Sequence, residues 1–111
     1  MKLDFKSPSA VEFCLQHIAQ NSELLSSTPL WLNADIWNGP GGPPSPFDQN
    51  VFVAQCLTAS ASRPVTLSLG WTTRGFLEPY TALHIDEAIA SLKSLGILLQ
   101  DKAGIVQCTY L

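Results

Sequence analysis

The sequence predicts an α/β fold, a partial (β/α)-barrel of about three strand-helix units with parallel strands and a distinct tail. Two observations predict it. Three extended segments alternate with three helical ones, and each extended segment has one apolar and one small or polar phase. Strand-helix alternation forces parallel pairing, because each helix is the crossover that returns the chain to the same end of the sheet. An open doubly wound sheet is covered by helices on both faces and calls for apolar residues in both phases, so the alternating phases favour a barrel whose polar side faces the lumen.

The first strand is Lys2-Leu3-Asp4-Phe5-Lys6, with Leu3 and Phe5 in one phase and the charges in the other. Ser7-Pro8-Ser9 starts a helix, and Ser9 with Glu12 has the spacing of a capping box. Val11, Cys14, Leu15, Ile18 and Ala19 then recur at helical spacing, so one stripe is buried. After a Ser- and Thr-rich stretch, Leu30 to Ile36 reads as the second strand. Leu32, Ala34 and Ile36 share one phase, and Trp31, Asn33 and Asp35 the other. Three Gly and four Pro between Asn38 and Pro46 make a loop over the end of that strand.

Asp48 is placed to cap a second helix, whose Phe52, Val53, Cys56 and Leu57 face the sheet. Arg63-Pro64 ends it, and Val65 to Thr73 forms the third strand, with Leu67, Leu69 and Trp71 opposite Thr66, Ser68, Gly70 and Thr72. A third helix runs from about Ala82 to Leu95 and closes at Gly96. Ile97 to Gln100 and Ile105 to Tyr110 read as short strands split by Asp101-Lys102-Ala103-Gly104, a pair that could form a hairpin. The domain division is 1–96 for the partial barrel and 97–111 for the tail.

Composition removes several function classes. A net charge of -3 with six scattered Lys and Arg offers no surface for nucleic acid. No apolar run approaches the roughly 18 residues of a membrane span, and Met1 to Lys6 builds no signal-peptide core. Cys14, Cys56 and Cys108 are odd in number and widely spaced, which fits neither a disulfide framework nor a zinc site. His17 and His84 are separated from each other and from the carboxylates by whole elements.

In a (β/α)-barrel the active face lies at the C-terminal strand ends. There the sequence places Asp4 and Lys6, Asn33 and Asp35, and Thr72 with Thr73. Carboxylate, amide and hydroxyl oxygens suit Mg²⁺ or Ca²⁺, and a Lys offers phosphate a point charge. The plainer alternative is an internal ion pair of Asp4 with Lys6, or polar groups that merely cap the sheet. Gly39-Pro40-Gly41-Gly42 matches no phosphate-binding loop and reads as a plain connection.

The strings KLDFK (Lys2 to Lys6), WLNADI with its following NGPGG (Trp31 to Gly42) and LSLGWTT (Leu67 to Thr73) resemble the menorin family over about residues 1 to 75. Its domain is similar to the phosphodiesterase-like TIM barrels related to glycerophosphodiester phosphodiesterases. The resemblance implies a barrel that begins well before Met1, with upstream His and Glu-x-Asp-type residues that this chain does not carry. It makes Asp4 the candidate metal ligand and Lys6 the candidate phosphate contact, with Asn33, Asp35, Trp71 and Thr72 as motif positions. It further implies a divalent cation in the full-length barrel, an extracellular setting, and a protein partner of adhesion type. No phosphodiesterase activity is expected of this chain alone, and the unpaired strand edges of an open fragment favour self-association. The tail from Ile97 does not resemble the strand the family would place there.

Overall fold

The computed structural model describes residues 1–60, 63–74, 79–99 and 105–108. In chain order the elements are β1 (Lys2–Phe5), α1 (Pro8–Gln20), α2 (Ser22–Leu25), β2 (Leu30–Asn38), α3 (Gln49–Ser60), β3 (Val65–Thr72), α4 (Ala82–Leu99) and β4 (Ile105–Cys108). The strands form one open sheet in the order β1-β2-β3-β4, and every neighbouring pair is parallel. Sequential order with right-handed crossovers moves the chain one way across the sheet and lays the helices on one face. The packing agrees. Val11 of α1, Phe52, Val53 and Cys56 of α3, and Ala88 and Leu95 of α4 share one core with Leu32, Ala34, Leu67 and Leu69 of the two central strands.

Local chemistry accounts for the element ends. Pro8 sits in the first turn of α1, where a missing N–H costs nothing. The expected capping box does not form: the N-cap is Ser7, no side chain caps the helix, and Ser9 Oγ instead lies 3.2 Å from Ser7 Oγ. Glu12 accepts a bond from Gln16 one turn on, 3.2 Å away, rather than reaching back. Asp48 does cap α3, its Oδ1 accepting from the Val51 N–H at 3.0 Å. The Ser- and Thr-rich stretch contains the short helix α2, which the pattern did not suggest.

Two corrections concern the C-terminal third. Ile97 to Leu99 is not strand but the last turn of α4, which runs through Gly96 without stopping. A short apolar run has no period of its own that separates strand from helix. Interior Gly96 costs a helix only about 1 kcal/mol, which tertiary packing overrides. Nor is there a hairpin among the described residues: with its first arm helical, β4 pairs parallel to β3, Thr66 opposite Ile105 and Leu69 opposite Cys108. The intervening residues 100–104, and the last residues 109–111 that include Tyr110, lie outside the described residues. No described helix is long and apolar enough to cross a membrane.

Candidate functional site

Register aligns the polar phases of the four strands. Asp4 lies opposite Asn33, Asn33 opposite Ser68, and Ser68 opposite Gln107, so one level of the sheet carries a polar residue on every strand. The apolar neighbours Leu3, Leu32, Leu67 and Val106 form the adjacent level. Asn33 and Ser68 are buried, and Asp4 and Lys6 at the free edge are exposed.

Four of the five expected site residues are brought together. Asn33 Nδ2 donates to Asp4 Oδ1 at 2.8 Å, and the Lys6 ammonium sits 2.9 Å from Asp4 Oδ2. Asp35, two residues beyond Asn33 and half-buried, feels the charges of both Lys6 and Asp4. Thr72 stands apart. Its hydroxyl donates to the Pro43 carbonyl at 2.5 Å and accepts from the Gly39 N–H at 3.3 Å, so it holds the Gly- and Pro-rich loop. Thr73 is half-buried just past β3.

That loop is fastened at three further points. Ser45 N–H donates to Asn38 Oδ1 at 2.7 Å, Ser45 Oγ–H donates to the Asp35 carbonyl at 2.6 Å, and Phe47 N–H donates to Ser45 Oγ at 3.1 Å. Neither Ser45 nor Asn38 was singled out in the sequence, because a lone Ser in a loop carries no periodic signal.

A bulge at Ile36 explains another residue the pattern missed. The register moves from Asp35 opposite Gly70 to Trp37 opposite Trp71, and the extra residue turns Trp37 from the polar phase to the helix-covered side. There its ring lies 5.0 Å from that of Trp71, and its indole N–H donates to Ser91 Oγ at 2.9 Å and to Gln49 Oε1 at 3.3 Å. Tyr80 packs edge-on against Trp71 at 5.5 Å. A 470 Å³ cleft opens beside this cluster between the loop, α3 and α4, with Trp37, Phe47, Asp48 and Glu87 on its walls. Its indole, amide and hydroxyl groups bond one another, and Ser91 also donates to Gln49.

The two carboxyl groups at the edge are pushed in opposite directions. Burial raises the Asp4 carboxyl, but the hydrogen bonds from Lys6 and Asn33 and the charges of Lys6 and Lys2 outweigh it and hold it below 3.8. Burial raises Asp35 above 3.8, and Lys6 offsets that only in part while the Asp4 charge adds to it. The hydrogen bond to Asp4 leads the effects that raise Lys6. Burial, joined by the Asp35 charge, raises the Tyr80 phenol. Linkage then has two signs. Asp4 contributes stability that is present above 3.8 and lost as pH falls through its depressed folded value. Asp35 favours the fold most below 3.8 and loses that contribution as pH rises through its elevated one. Carboxyl ¹³C titration should therefore give two midpoints on either side of 3.8, and Lys6→Met should move both upward. A shared midpoint unmoved by Lys6→Met would refute the arrangement.

The histidines lie elsewhere: His17 on α1 stacks on Phe13 at 6.2 Å, and His84 Nδ1 accepts from the Thr81 N–H at 3.0 Å at the start of α4. Cys56 is wholly buried and its thiol is pushed up to about 12 by that burial, so it is a core residue; Cys14 is half-buried. Among the described residues no three His, Cys, Asp or Glu side chains converge as a metal cluster. A cation at this edge would therefore draw on Asp4 and Asp35 together with neutral oxygens such as the Asn33 amide or water, a donor set that fits a hard divalent ion.

A parallel sheet with one helix-covered face, and an acidic and basic cluster at the C-terminal end of its edge strand, define a strand-helix repeat domain with polar strand ends. The family description "Menorin N-terminal domain" matches residues 1–106, and the chain belongs to the menorin family. Human Protein FAM151B is 40% identical over 73 residues, a stretch that is 66% of this chain and 25% of that protein. The chain thus spans about a quarter of the length of that relative. No solved structure matches it.

Proposed function

We propose that the sheet is an arc of a phosphodiesterase-like (β/α)-barrel, and that its edge cluster binds a divalent cation with a phosphate-bearing ligand without hydrolysing it. The observation that carries this reading is the Asp4 carboxylate held between Asn33 and Lys6 at the strand end, with Asp35 beside them. Asp4 and Asp35 would hold the cation, and Lys6, once released from Asp4, would meet the phosphate. Thr72 would act indirectly by fixing the loop. A complete barrel takes about 250 residues, and neither histidine of the chain stands at this edge to move a proton. The four-stranded arc is one-sided, with a polar face that a closed barrel would turn inward. An extracellular setting, which the resemblance to the menorin family implies, is part of this proposal.

Amide chemical shifts of the 111-residue chain, titrated with Ca²⁺ or Mg²⁺ and then glycerophosphocholine, test this directly. Perturbation is expected at Asp4, Lys6, Asn33 and Asp35. Asp4→Ala should weaken the cation response, and Lys6→Met the phosphate response, each by about tenfold, the scale of losing one charge-assisted bond. No glycerol or choline release above an Asp4→Ala control is expected. Turnover, or shifts confined to other regions, would overturn the reading. A second reading, an extracellular interaction module of menorin type, is favoured by Phe13 and Leu24, which are 71% and 80% exposed near the β1 edge.

A further inference from the structure

We propose that the 470 Å³ cleft between the Gly- and Pro-rich loop, α3 and α4 is a second binding site, which takes a small organic ammonium on a flat apolar stem. It is separate from the edge cluster. The bulge at Ile36 turns Trp37 to the helix-covered side, whereas Asp4, Asn33 and Asp35 belong to the polar phase, so the two sites lie on opposite faces of the sheet. The walls of the cleft come from residues 36–49 and 87–91, all internal to the chain.

A volume of this size lies in the range of small-molecule sites, whose walls are largely in place before the ligand arrives. Here three elements fix the walls. The Trp37 indole N–H of β2 donates to Ser91 Oγ of α4 at 2.9 Å and to Gln49 Oε1 of α3 at 3.3 Å, and Ser91 donates to Gln49. Trp71 of β3 backs the Trp37 ring at 5.0 Å between ring centres. The loop is fastened in turn by Thr72, which bonds Gly39 and Pro43, and by Ser45, which bonds Asn38 and the Asp35 carbonyl. A ligand therefore meets side chains that are already ordered, and little further ordering cost opposes its binding.

The chemistry of the lining selects the ligand. Ile36, Trp37, Pro44 and Phe47 give the cleft an apolar side, and Asp48 and Glu87, both exposed, carry the formal charges among its described residues. Two carboxylates without a cation between them repel an anion. The start of a helix otherwise attracts anions. On α3 that position is taken by Asp48 itself, whose Oδ1 accepts from the Val51 N–H at 3.0 Å. The Trp37 indole N–H, the donor an anion would seek in the wall, is engaged by Ser91 and Gln49. What the lining still offers is carboxylate oxygen and ring carbon, the two surfaces that favour an ammonium ion. A flat stem suits the rings of Pro44, Phe47 and Trp37, because it contributes apolar area with few rotatable bonds to order.

Phenethylammonium chloride is the probe, titrated into the whole chain and followed by the Trp37 indole N–H and the Asp48 and Glu87 amide resonances. A saturable shift at those groups with a millimolar or tighter Kd is expected. Phenethyl alcohol has the same stem without the charge and should bind about tenfold more weakly, and phenylacetate should not bind. Glu87→Gln, at an exposed position, should raise Kd about three- to fivefold. Asp48→Asn should do the same, since Asn keeps a cap acceptor for the Val51 N–H and removes only the charge. Glu12→Gln removes a negative charge from the exposed face of α1, outside the cleft, and should leave Kd unchanged. Acetyl-lysine amide carries the same ammonium on a flexible stem and should bind more weakly. Equal binding of the alcohol, or a Kd indifferent to both Glu87→Gln and Asp48→Asn, overturns the proposal. So does acetyl-lysine amide binding as tightly as the probe, a shift confined to Asp4, Lys6, Asn33 and Asp35, or no saturable shift up to tens of millimolar.

Discussion

Gly39→Ala is expected to destabilise the protein by about 2–5 kcal/mol, combining overpacking of about 1–3 kcal/mol with the loss of one or two hydrogen bonds at about 1 kcal/mol each. A Cβ at position 39 would stand 2.0 Å from the Thr72 carbonyl oxygen and 2.9 Å from Trp71 Cβ. The Thr72 carbonyl belongs to a strand paired with Asn38 of β2 at that residue and anchored in the sheet below it, so the loop must move rather than its neighbour. Moving it breaks the Gly39 N–H bond to the Thr72 hydroxyl and strains the Thr72 bond to Pro43. Gly42 lies against the same carbonyl, its notional Cβ 2.5 Å away, so Gly42→Ala should behave similarly. Gly41 has the left-handed φ of 61°, and Ala there costs only about 1–2 kcal/mol for the backbone conformation. Urea unfolding followed by Trp fluorescence separates these cases. A Gly39→Ala midpoint indistinguishable from wild type would show that the loop does not rest on β3.

The same loop shows why sequence reading stopped where it did. Its glycines and prolines exclude regular structure, and that much is legible without coordinates. Which glycine is indispensable depends on the approach of Thr72, 33 residues away in the chain. Thr72 itself was legible as a polar residue at a strand end, the feature that made it a candidate ligand. Its hydroxyl bonds to the loop, a contact that only the tertiary approach supplies.

Parallel topology was readable because β1, β2 and β3 alternate with helices, and the polar phase was readable because strands have a period of two. Asp4, Lys6, Asn33 and Asp35 came from that phase alone, and the structure groups them. The contact of Asp4 with Asn33 required the register, which no single strand encodes. Trp37 was lost because counting by twos fails at a bulge, and the extra residue Ile36 moves every later side chain to the other face. α4 was cut short because Gly96 resembles a helix end and Ile97-Leu98-Leu99 suits strand or helix equally. The parallel course of β4 follows from that misjudged helix: once α4 is long enough to cross over, the chain re-enters the sheet in the same direction.

The largest stability loss among side-chain truncations is expected at Phe52. Its ring is 1% exposed and meets Phe5 edge-on at 6.0 Å and Phe47 edge-on at 5.5 Å, so one residue of α3 joins the edge strand to the loop. Phe52→Ala removes a buried aromatic and leaves a cavity that β1 and α3 cannot both close, a cost of about 3–5 kcal/mol. Domains of this size are stable by only about 5–15 kcal/mol, so the thermal midpoint should fall by about 15 °C or the fold should be lost. Phe52→Leu, which keeps most of the volume, should cost about half as much. Phe5 directly precedes Lys6, so loosening Phe52 should also blur the Asp4 and Lys6 resonances before global unfolding. Val51, one position earlier and 55% exposed, is the internal control, and Val51→Ala should stay within about 0.5 kcal/mol of wild type. Comparable losses at 51 and 52 would mean that α3 does not present Phe52 to the sheet, and the polar edge would then lack the core that holds it in place.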